Sequence, residues 1–310
     1  NPSRKMCPSM GPATSLTDAE LFLERVEREF PELQLSLLQR NWWLAKPVDG
    51  AMGKGIQFFG GTASTDCLDI SSLAFSGRMT DGYVLQKYVE RPHLMNMADL
   101  LAMDELPDES LRVQDCTDVF YKYNLRILVV ICWADEPSVW VYRRGYIDLC
   151  ALPFEEALEQ SSPGRHISNL PGNGRGLVQK RLWSTNTFAK CLQKTLGRDV
   201  WADDILPAVK EMVATTIGCV VPLRSPKAGT CRQPWRRFGF DFALDEKLGV
   251  WLLEVNHRPG MKAPKGSNGE DKRHFLEDFY SDERELCGSR LEETRESDWQ
   301  VANFERVPIK

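Results

Sequence analysis

The segment Phe238-Gly-Phe-Asp-Phe-Ala-Leu-Asp-Glu-Lys-Leu-Gly-Val-Trp-Leu-Leu-Glu-Val-Asn256 alternates apolar and polar residues on both sides of a polar turn, which predicts a β-hairpin. Side chains of a strand point alternately to its two faces. One face of the first strand then carries Phe238, Phe240 and Phe242, and the other carries Gly239, Asp241 and Ala243. On the second strand the predicted faces are Trp251, Leu253 and Val255 against Leu252, Glu254 and Asn256.

A turn near Glu246 and Lys247 places Asp241 opposite Glu254, close to Asn256. Two neighbouring carboxylates repel each other, whereas a hard cation prefers a cluster of oxygen ligands. The pattern therefore predicts a magnesium site made of Asp241, Glu254 and Asn256, and magnesium in such a setting implies nucleotide phosphates. An ordinary hairpin with acidic residues on its solvent side explains the same pattern.

The composition is that of a globular protein. The chain has 310 residues, of which 42% are hydrophobic and 27% charged, enough for one large or two medium domains. The longest apolar run, Ile127 to Ala134, is the length of a strand, so no membrane span is predicted. The nine cysteines form no CxxC pair, which favours reduced thiols in a cytoplasmic protein over a zinc site. A net charge of -5 argues against nucleic acid as a partner.

Strands and helices are mixed along the chain without strict βαβ alternation, which predicts an α+β fold. The predicted strands are 42–46, 56–59, 83–89, 125–133 and 138–143, besides the hairpin. The predicted helices are 15–30, 94–103, 185–196, 201–217 and 271–286.

A glycine-containing connection, Lys46-Pro-Val-Asp-Gly-Ala-Met-Gly-Lys-Gly55, links the first two predicted strands. Glycines at positions such as Gly53 and Gly55 allow backbone N–H groups to approach a phosphate, and Lys46 adds positive charge. The segment contains neither a Walker motif nor GxGxxG. A plain β-hairpin with glycine in its turn remains the alternative.

Two further strands carry polar residues where an apolar core would exclude them. The strand from Tyr83 ends in Gln86 and Lys87, and such a strand end can hydrogen-bond an adenine. Lys122, Asn124 and Arg126 share one face at the start of a long apolar strand. Buried charge without a partner is costly, so these residues predict a site beside phosphate or carboxylate, unless the strand lies at a sheet edge.

The order and spacing of these motifs resemble the tubulin tyrosine ligase-like family of the ATP-grasp superfamily. The matching segments are Trp43–Pro47 with its loop, Gln86–Tyr88, Lys122–Arg126, Val141–Gly145, His166–Asn169 and the hairpin. The resemblance implies two lobes whose antiparallel sheets enclose a nucleotide cleft. It implies an ATP- and Mg²⁺-dependent ligase that joins a free amino acid to the carboxylate of tubulin or another acidic polypeptide tail. It also implies a cytoplasmic, microtubule-associated protein that binds neither nucleic acid nor membrane.

The resemblance assigns residue roles. Lys46 and Lys87 contact ATP, with Gly53 and Gly55 in the phosphate loop; Gln86 and Val89 contact the adenine; Asp241, Glu254 and Asn256 bind magnesium; Lys122, Arg126 and Asn169 line the reaction centre. The implied organisation is a tail and helix left from an N-terminal lobe over 1–40, a central lobe over 41–90, a C-terminal lobe with the metal and acceptor site over 91–270, and a helix and tail over 271–310.

Among several departures from the family pattern, two positions bear on activity. Asn124 stands where the family has Asp, and Asp148 stands where it has an Arg expected to hold a substrate carboxylate. Two alternatives therefore stay open: a non-catalytic ATP- or microtubule-binding member, and an ATP-grasp ligase for a small carboxylate. The basic stretch from Arg175 to Arg237 favours an acidic polypeptide as the acceptor.

Overall fold

The computed structural model describes residues 28, 42–48, 53–59, 83–103, 119–133, 137–156, 163–168, 182–220, 235–263, 270–289 and 300–309. The predicted helix 15–30 lies outside these residues except for Arg28, as do Asn169 and the parts 175–181 and 221–234 of the basic stretch.

A three-stranded antiparallel sheet forms the smaller part of the described fold. Its strands are β1 (Trp43–Pro47), β2 (Gln57–Phe59) and β3 (Tyr83–Lys87), in the order β2-β1-β3. In the register, Leu44 lies opposite Gln86 and Lys46 opposite Val84. Because side chains alternate along a strand, Leu44, Lys46 and Gln86 share one face of this sheet.

A seven-stranded antiparallel sheet forms the larger part of the described fold, and its strands are β6 (Tyr123–Cys132), β7 (Ser138–Leu149), β8 (Leu182–Ser184), β9 (Trp235–Leu244), β10 (Val250–Asn256), β11 (Gln300–Val301) and β12 (Phe304–Val307). Their order is β10-β9-β6-β7-β12-β11, with β8 also paired to β7. A separate two-stranded ribbon pairs β4 (Met95–Asn96) with β5 (Phe120–Tyr121). Mixed helices and antiparallel sheets confirm the predicted α+β class.

One face of the large sheet is covered by α2 (Thr185–Leu196) and α3 (Leu206–Val220), which follows a π-helical turn at Trp201–Ile205. Leu125, Ile127, Val129 and Ile131 of β6 pack on this side with Phe188 of α2 and Val213 of α3, among other buried residues. A short helix, α1 (Met97–Ala102), adds Leu100 to the same core.

The opposite face is covered over part of its length by α4 (Glu270–Ser289). Leu128 and Val130 of β6 pack there with Phe275 and Phe279 of α4. Arg126 precedes these residues on the same face, beyond the apolar cluster. The helix therefore leaves one end of this face to polar side chains.

The helix predicted over 185–196 matches the observed helix. The hydroxyl of Ser184 accepts a hydrogen bond from the backbone N–H of Thr187, and Gly197 ends the helix with a φ of 71°. Among the described residues, no helix is long and apolar enough to cross a membrane.

Candidate active site

The β9–β10 hairpin brings Asp241 opposite Glu254, as its sequence predicts. The register shifts between Leu252 and Glu254, which is the mark of a β-bulge at Leu253. The bulge corrects one prediction: Leu252 lies opposite Phe242 in the apolar core and does not share the face of Glu254.

Asp241 lies at the centre of a hydrogen-bonded cluster. The Asn256 amide nitrogen donates to Asp241 Oδ2 over 3.0 Å and to Glu254 Oε1 over 2.8 Å. Arg126 lies opposite Asp241 across the β6–β9 pair and donates to both of its carboxylate oxygens, with 2.6 Å between Nη2 and Oδ2. A Cβ at Gly239 would lie 3.1 Å from Arg126 Cδ, so this glycine leaves room for the arginine side chain.

The pKa values of the two carboxyl groups in the cluster are shifted in opposite directions. Burial, together with the Glu254 carboxylate, raises the pKa of Asp241 to about 7 despite the contacts with Arg126. Burial also acts to raise the pKa of Glu254, but hydrogen bonds from Asp241 and Asn256 and the charge of Lys46 outweigh it and lower that pKa. The two carboxyl groups thus share protons unequally, and an added cation would stabilise the doubly ionised form.

A cleft of about 570 Å³, open to solvent, lies between this cluster and the small sheet. Most of its lining comes from predicted site residues, namely Lys46, Gln86, Lys87, Val89, Lys122, Asn124, Asp241 and Glu254. Arg126 and Asn256 do not line the cleft themselves but hydrogen-bond to Asp241, which does.

The carboxamide of Gln86 is fixed at the cleft wall. Its Nε2 donates to the backbone carbonyl of Leu253 over 3.0 Å, which ties the small sheet to the bulge in β10. Its Oε1 is buried and has no hydrogen-bond partner among the described residues. A buried acceptor of this kind is stabilised by a ligand that brings an N–H donor, such as the amino group of a purine.

Lys122 is held by aromatic residues to which the resemblance assigns no role. Its Nζ lies 4.1 Å from the centre of the Tyr88 ring, and the Tyr88 hydroxyl lies 2.9 Å from His166 Nδ1. Burial, and then the charges of Lys122 and Arg165, lower the pKa of His166 to about 3, so this imidazole is neutral. The signal available in the sequence was the position of His166 in the matching segment His166–Asn169, which does not indicate its partner.

Lys87 and Glu90 form a buried ion pair at one end of the cleft. Lys87 Nζ also donates to the backbone carbonyl of Trp42 over 3.0 Å. The Lys87 ammonium is therefore already bound by protein atoms. The resemblance implies a contact of this lysine with ATP, which stays a prediction.

Gly53 and Gly55, which precede β2, have positive φ values of 69° and 76°. Glycine adopts such angles without strain, and a Cβ at Gly55 would lie 3.0 Å from Pro47 Cγ. Both residues are described, but the preceding residues 49–52 are not. The backbone angles of the two glycines are therefore known, whereas contacts of this turn with a phosphate stay a prediction.

The two carboxylates and the amide of Asn256 suit a hard cation by the chemistry of their oxygens. The described residues contain no group of three or more His, Cys, Asp or Glu side chains placed to hold a metal. A cation here would therefore need oxygens from a phosphate or from water as well. The Asn256 nitrogen faces both carboxylates, so its oxygen would serve as a ligand only after the amide turned.

Two antiparallel sheets that enclose lysines, an anchored carboxamide and paired carboxylates define a class of cleft suited to a nucleotide and a divalent cation. The chain belongs to the tubulin-tyrosine ligase family, whose model matches residues 6–281.

The chain is similar to proteins named for tubulin modification. It is 25% identical to "Probable tubulin polyglutamylase TTLL2" of Homo sapiens over 82% of this chain and 37% of that protein. It is 25% identical to "Tubulin glycylase 3B" of Tetrahymena thermophila over 77% of this chain and 18% of that protein. It is also 25% identical to "Tubulin monoglycylase TTLL3" of Homo sapiens over 80% of this chain and 29% of that protein. The chain thus spans well under half the length of these relatives.

Proposed function

We propose that the chain is an ATP-dependent ligase that joins an amino acid to a protein carboxylate through an acylphosphate, with an acidic tubulin tail as acceptor. The observation that carries the proposal is the convergence of Lys46, Gln86, Lys122, Asp241 and Glu254 on one cleft. Family membership and the relatives' names support the reaction and the acceptor.

In this proposal the small and large sheets are the two lobes of an ATP-grasp fold. The adenine lies against Val89 with its amino group toward Gln86 Oε1. Lys46, Lys122 and the glycine turn face the phosphates. The central lobe spans 41–90 and the C-terminal lobe 91–270. The α4 helix and β12 pack on the large sheet, which supports grouping residues 270–289 and 300–309 with the second lobe.

Magnesium held by Asp241, Glu254 and Asn256 would neutralise charge on the transferred phosphoryl group. An oxygen of the acceptor carboxylate attacks the γ-phosphorus of ATP, giving an acylphosphate and ADP. The amine of the incoming amino acid then attacks the acyl carbon, the C–O bond to phosphate breaks, and the amine proton passes to solvent. In this proposal Lys122, whose Nζ lies over the Tyr88 ring, stabilises charge on the phosphoryl oxygens, and Arg126 and Asn169 line the reaction centre.

Asn124 lies opposite Asp148 in the β6–β7 register, and this pair motivates a second candidate. An acceptor site altered at both positions would leave a non-catalytic ATP- or microtubule-binding protein, consistent with microtubule association in the cytoplasm. A ligase for a small free carboxylate is the third possibility within the same fold.

Incubation of the protein with Mg·ATP, tubulin and radiolabelled glutamate, glycine or tyrosine separates these functions. We expect label in tubulin and stoichiometric release of ADP. Binding of Mg·ATP without transfer to any acceptor would support the non-catalytic protein. Release of ADP that depends on a small acid and an amine, with no label in tubulin, would support the third function.

Glu254→Gln tests the role of the carboxylate pair. We expect turnover to fall by about a hundredfold, because several kcal/mol of charge stabilisation would be lost from the phosphoryl transfer. Glu277→Gln is the matched control, since Glu277 is exposed on α4. Unchanged turnover in Glu254→Gln at saturating magnesium would refute the metal assignment.

A further inference from the structure

The described residues contain two His–Tyr pairs of nearly the same geometry. His166 Nδ1 lies 2.9 Å from the Tyr88 hydroxyl, and the ring centres are 5.9 Å apart at an interplanar angle of 78°. His93 Nδ1 lies 2.9 Å from the Tyr123 hydroxyl, and those ring centres are 5.9 Å apart at 82°. Tyr88 and His166 line the cleft, whereas His93 and Tyr123 are not among the described residues that do so. The first pair can therefore act on a ligand in the cleft, and the second offers an internal comparison.

The Tyr88 ring connects His166 to Lys122. The Lys122 ammonium lies over this ring, with Nζ 4.1 Å from its centre. Lys122 and Tyr88 are only 6% and 4% exposed, so water weakens the attraction between the cation and the ring face very little. A lysine ammonium is carried on a flexible stem and loses rotamer freedom when it binds a ligand. A ring that holds the ammonium beforehand reduces this loss.

The imidazole of His166 is held by the protein on several sides. The side chain is buried, and the backbone N–H of His166 donates to the Pro163 carbonyl over 3.1 Å. Its ring lies edge-to-face against Phe58 and Phe154, with centres 5.6 and 5.4 Å away. The hydrogen bond to such an imidazole fixes the end of the Tyr88 side chain that is furthest from the backbone.

A neutral side chain suits this place, because a second cation would repel Lys122. Burial, and then the charges of Lys122 and Arg165, lower the pKa of His166 to about 3. The neutral imidazole still hydrogen-bonds the Tyr88 hydroxyl through Nδ1. His166 can therefore orient the ring without adding charge beside the lysine.

We propose that His166 is a positioning residue that acts on Lys122 through Tyr88. The hydrogen bond orients the ring, and the ring holds the ammonium where the terminal phosphate of ATP binds. The inference rests on the proposed function, which places Lys122 beside the transferred phosphoryl group. Its consequence is an energetic coupling: loss of His166 lowers the affinity for ATP only while position 122 carries its positive charge.

Equilibrium binding tests this coupling without requiring turnover. The full chain is titrated by calorimetry with a non-hydrolysable ATP analogue in the presence of Mg²⁺. We expect His166→Leu to lower the affinity about threefold, as for loss of one hydrogen bond, and Lys122→Met to lower it about tenfold or more, as for loss of a charged one. The double variant Lys122→Met/His166→Leu should bind no more weakly than Lys122→Met alone.

Two further variants and a second ligand separate positioning from a general effect on the cleft. Tyr88→Phe loses the hydroxyl and keeps the ring, so it should match His166→Leu, and it gives the same cycle with Lys122→Met if His166→Leu does not fold. His166→Asn places an amide close to the position of Nδ1 and should restore part of the affinity. Adenosine, which has no phosphate, should bind all these variants as it binds the wild-type protein.

The second His–Tyr pair supplies the matched control. His93→Leu removes a hydrogen bond of the same length, and Tyr123 follows Lys122 in the chain, so this variant also reports any effect that passes through the backbone. It should lower the temperature of thermal unfolding, as His166→Leu does, and leave the affinity for the ATP analogue unchanged.

Three results would overturn the positioning role. They are additive losses in Lys122→Met/His166→Leu, equal losses for adenosine and the ATP analogue, and unchanged affinity in both His166→Leu and Tyr88→Phe. A wild-type protein that binds no nucleotide would overturn it together with the proposed function. Coupling between His166 and Lys122 without transfer to tubulin would leave the positioning role standing and refute only the ligase reaction, whereas transfer with additive losses would refute the positioning role alone.

Discussion

Arg126 sets the position of Asp241. Its guanidinium donates to both carboxylate oxygens, and the side chains are 18% and 7% exposed, so neither group is well solvated. Burial acts to lower the pKa of Arg126, but the Asp241 carboxylate raises it well above its ordinary value. The Arg126 guanidinium therefore stays protonated, and its two hydrogen bonds fix the orientation of the Asp241 carboxylate.

Replacing Arg126 by Met should destabilise the protein by about 3 kcal/mol, because it leaves Asp241 buried beside Glu254 without its hydrogen-bonded counter-charge. Urea unfolding at pH 8 measures the change. The double variant Arg126→Met/Asp241→Asn should be more stable than the sum of the two single effects predicts, by about 2 kcal/mol. Additive effects would mean that the two side chains do not interact in solution.

Prediction of neighbouring residues succeeded where both residues lie on one face of a single hairpin. Asp241 opposite Glu254 follows from alternation within 19 consecutive residues, Phe238 to Asn256. The contact of Arg126 with Asp241 joins residues 115 positions apart, and periodicity gives no register between such distant strands. The bulge at Leu253 was not predicted for another reason. Nothing in an apolar run shows which residue will lack a partner on the neighbouring strand.

The β6–β7 hairpin carries Asn124 and Arg126 on the face of the large sheet that holds the candidate site. Its register shifts between Ile127 and Val129, and Gly145 lies opposite Ile127 at this shift. The Gly145 N–H donates to Thr185 Oγ1 over 2.9 Å, which joins the hairpin to the start of α2. The strands approach so closely here that a side chain at position 145 has no space.

Gly145→Ala should lower the free energy of unfolding by about 1–3 kcal/mol through overpacking. An added Cβ would lie 2.4 Å from the Arg126 carbonyl oxygen and 2.6 Å from Ile127 Cδ1, so the backbone must move. Gly288→Ala in α4 is the control, because nothing lies within 4 Å of its Cβ and alanine favours a helix. Thermal unfolding followed by circular dichroism compares them. Equal stability of the two variants would contradict the close contact.

Elements with strong local signals were predictable. The helix Thr185–Leu196 has Ser184 to begin it and Gly197 to end it, both visible in the sequence. The strands β11 and β12 were not predicted. Gln300–Val301 is too short to show the alternation of apolar and polar residues that marks a strand. Phe304–Val307 pairs with β7, a partner that the four residues of this strand do not indicate.

At the scale of the whole molecule, two histidines link the segment after β3 to the rest of the fold. His166 Nδ1 lies 2.9 Å from the Tyr88 hydroxyl, and His93 Nδ1 lies 2.9 Å from the Tyr123 hydroxyl. Burial lowers the pKa of His93 to about 4, and burial with nearby positive charge lowers that of His166 to about 3. Both contacts are therefore made by neutral imidazoles.

These two histidines should make the protein less stable in mild acid. An unfolded histidine takes up a proton near pH 6.5, whereas the folded ones do so only near pH 4 and 3. Between these values the unfolded state binds more protons, so the stability present above pH 6.5 is lost as the pH falls. From pH 7 to pH 5 the loss should be about 1–2 kcal/mol per histidine by linkage.

Comparison of the wild-type protein with His93→Gln/His166→Gln isolates this contribution, because Asp241 is common to both proteins. Its raised pKa favours the folded state as the pH falls, so it opposes the histidines equally in each. Urea unfolding between pH 5 and pH 7 should show the wild-type free energy falling toward acid more steeply than that of the variant. His257→Gln, at an exposed position, should keep the wild-type slope. Parallel curves for the wild type and the double variant would show that the two imidazoles take up protons at the same pH in the folded and unfolded proteins, which would contradict their lowered pKa values.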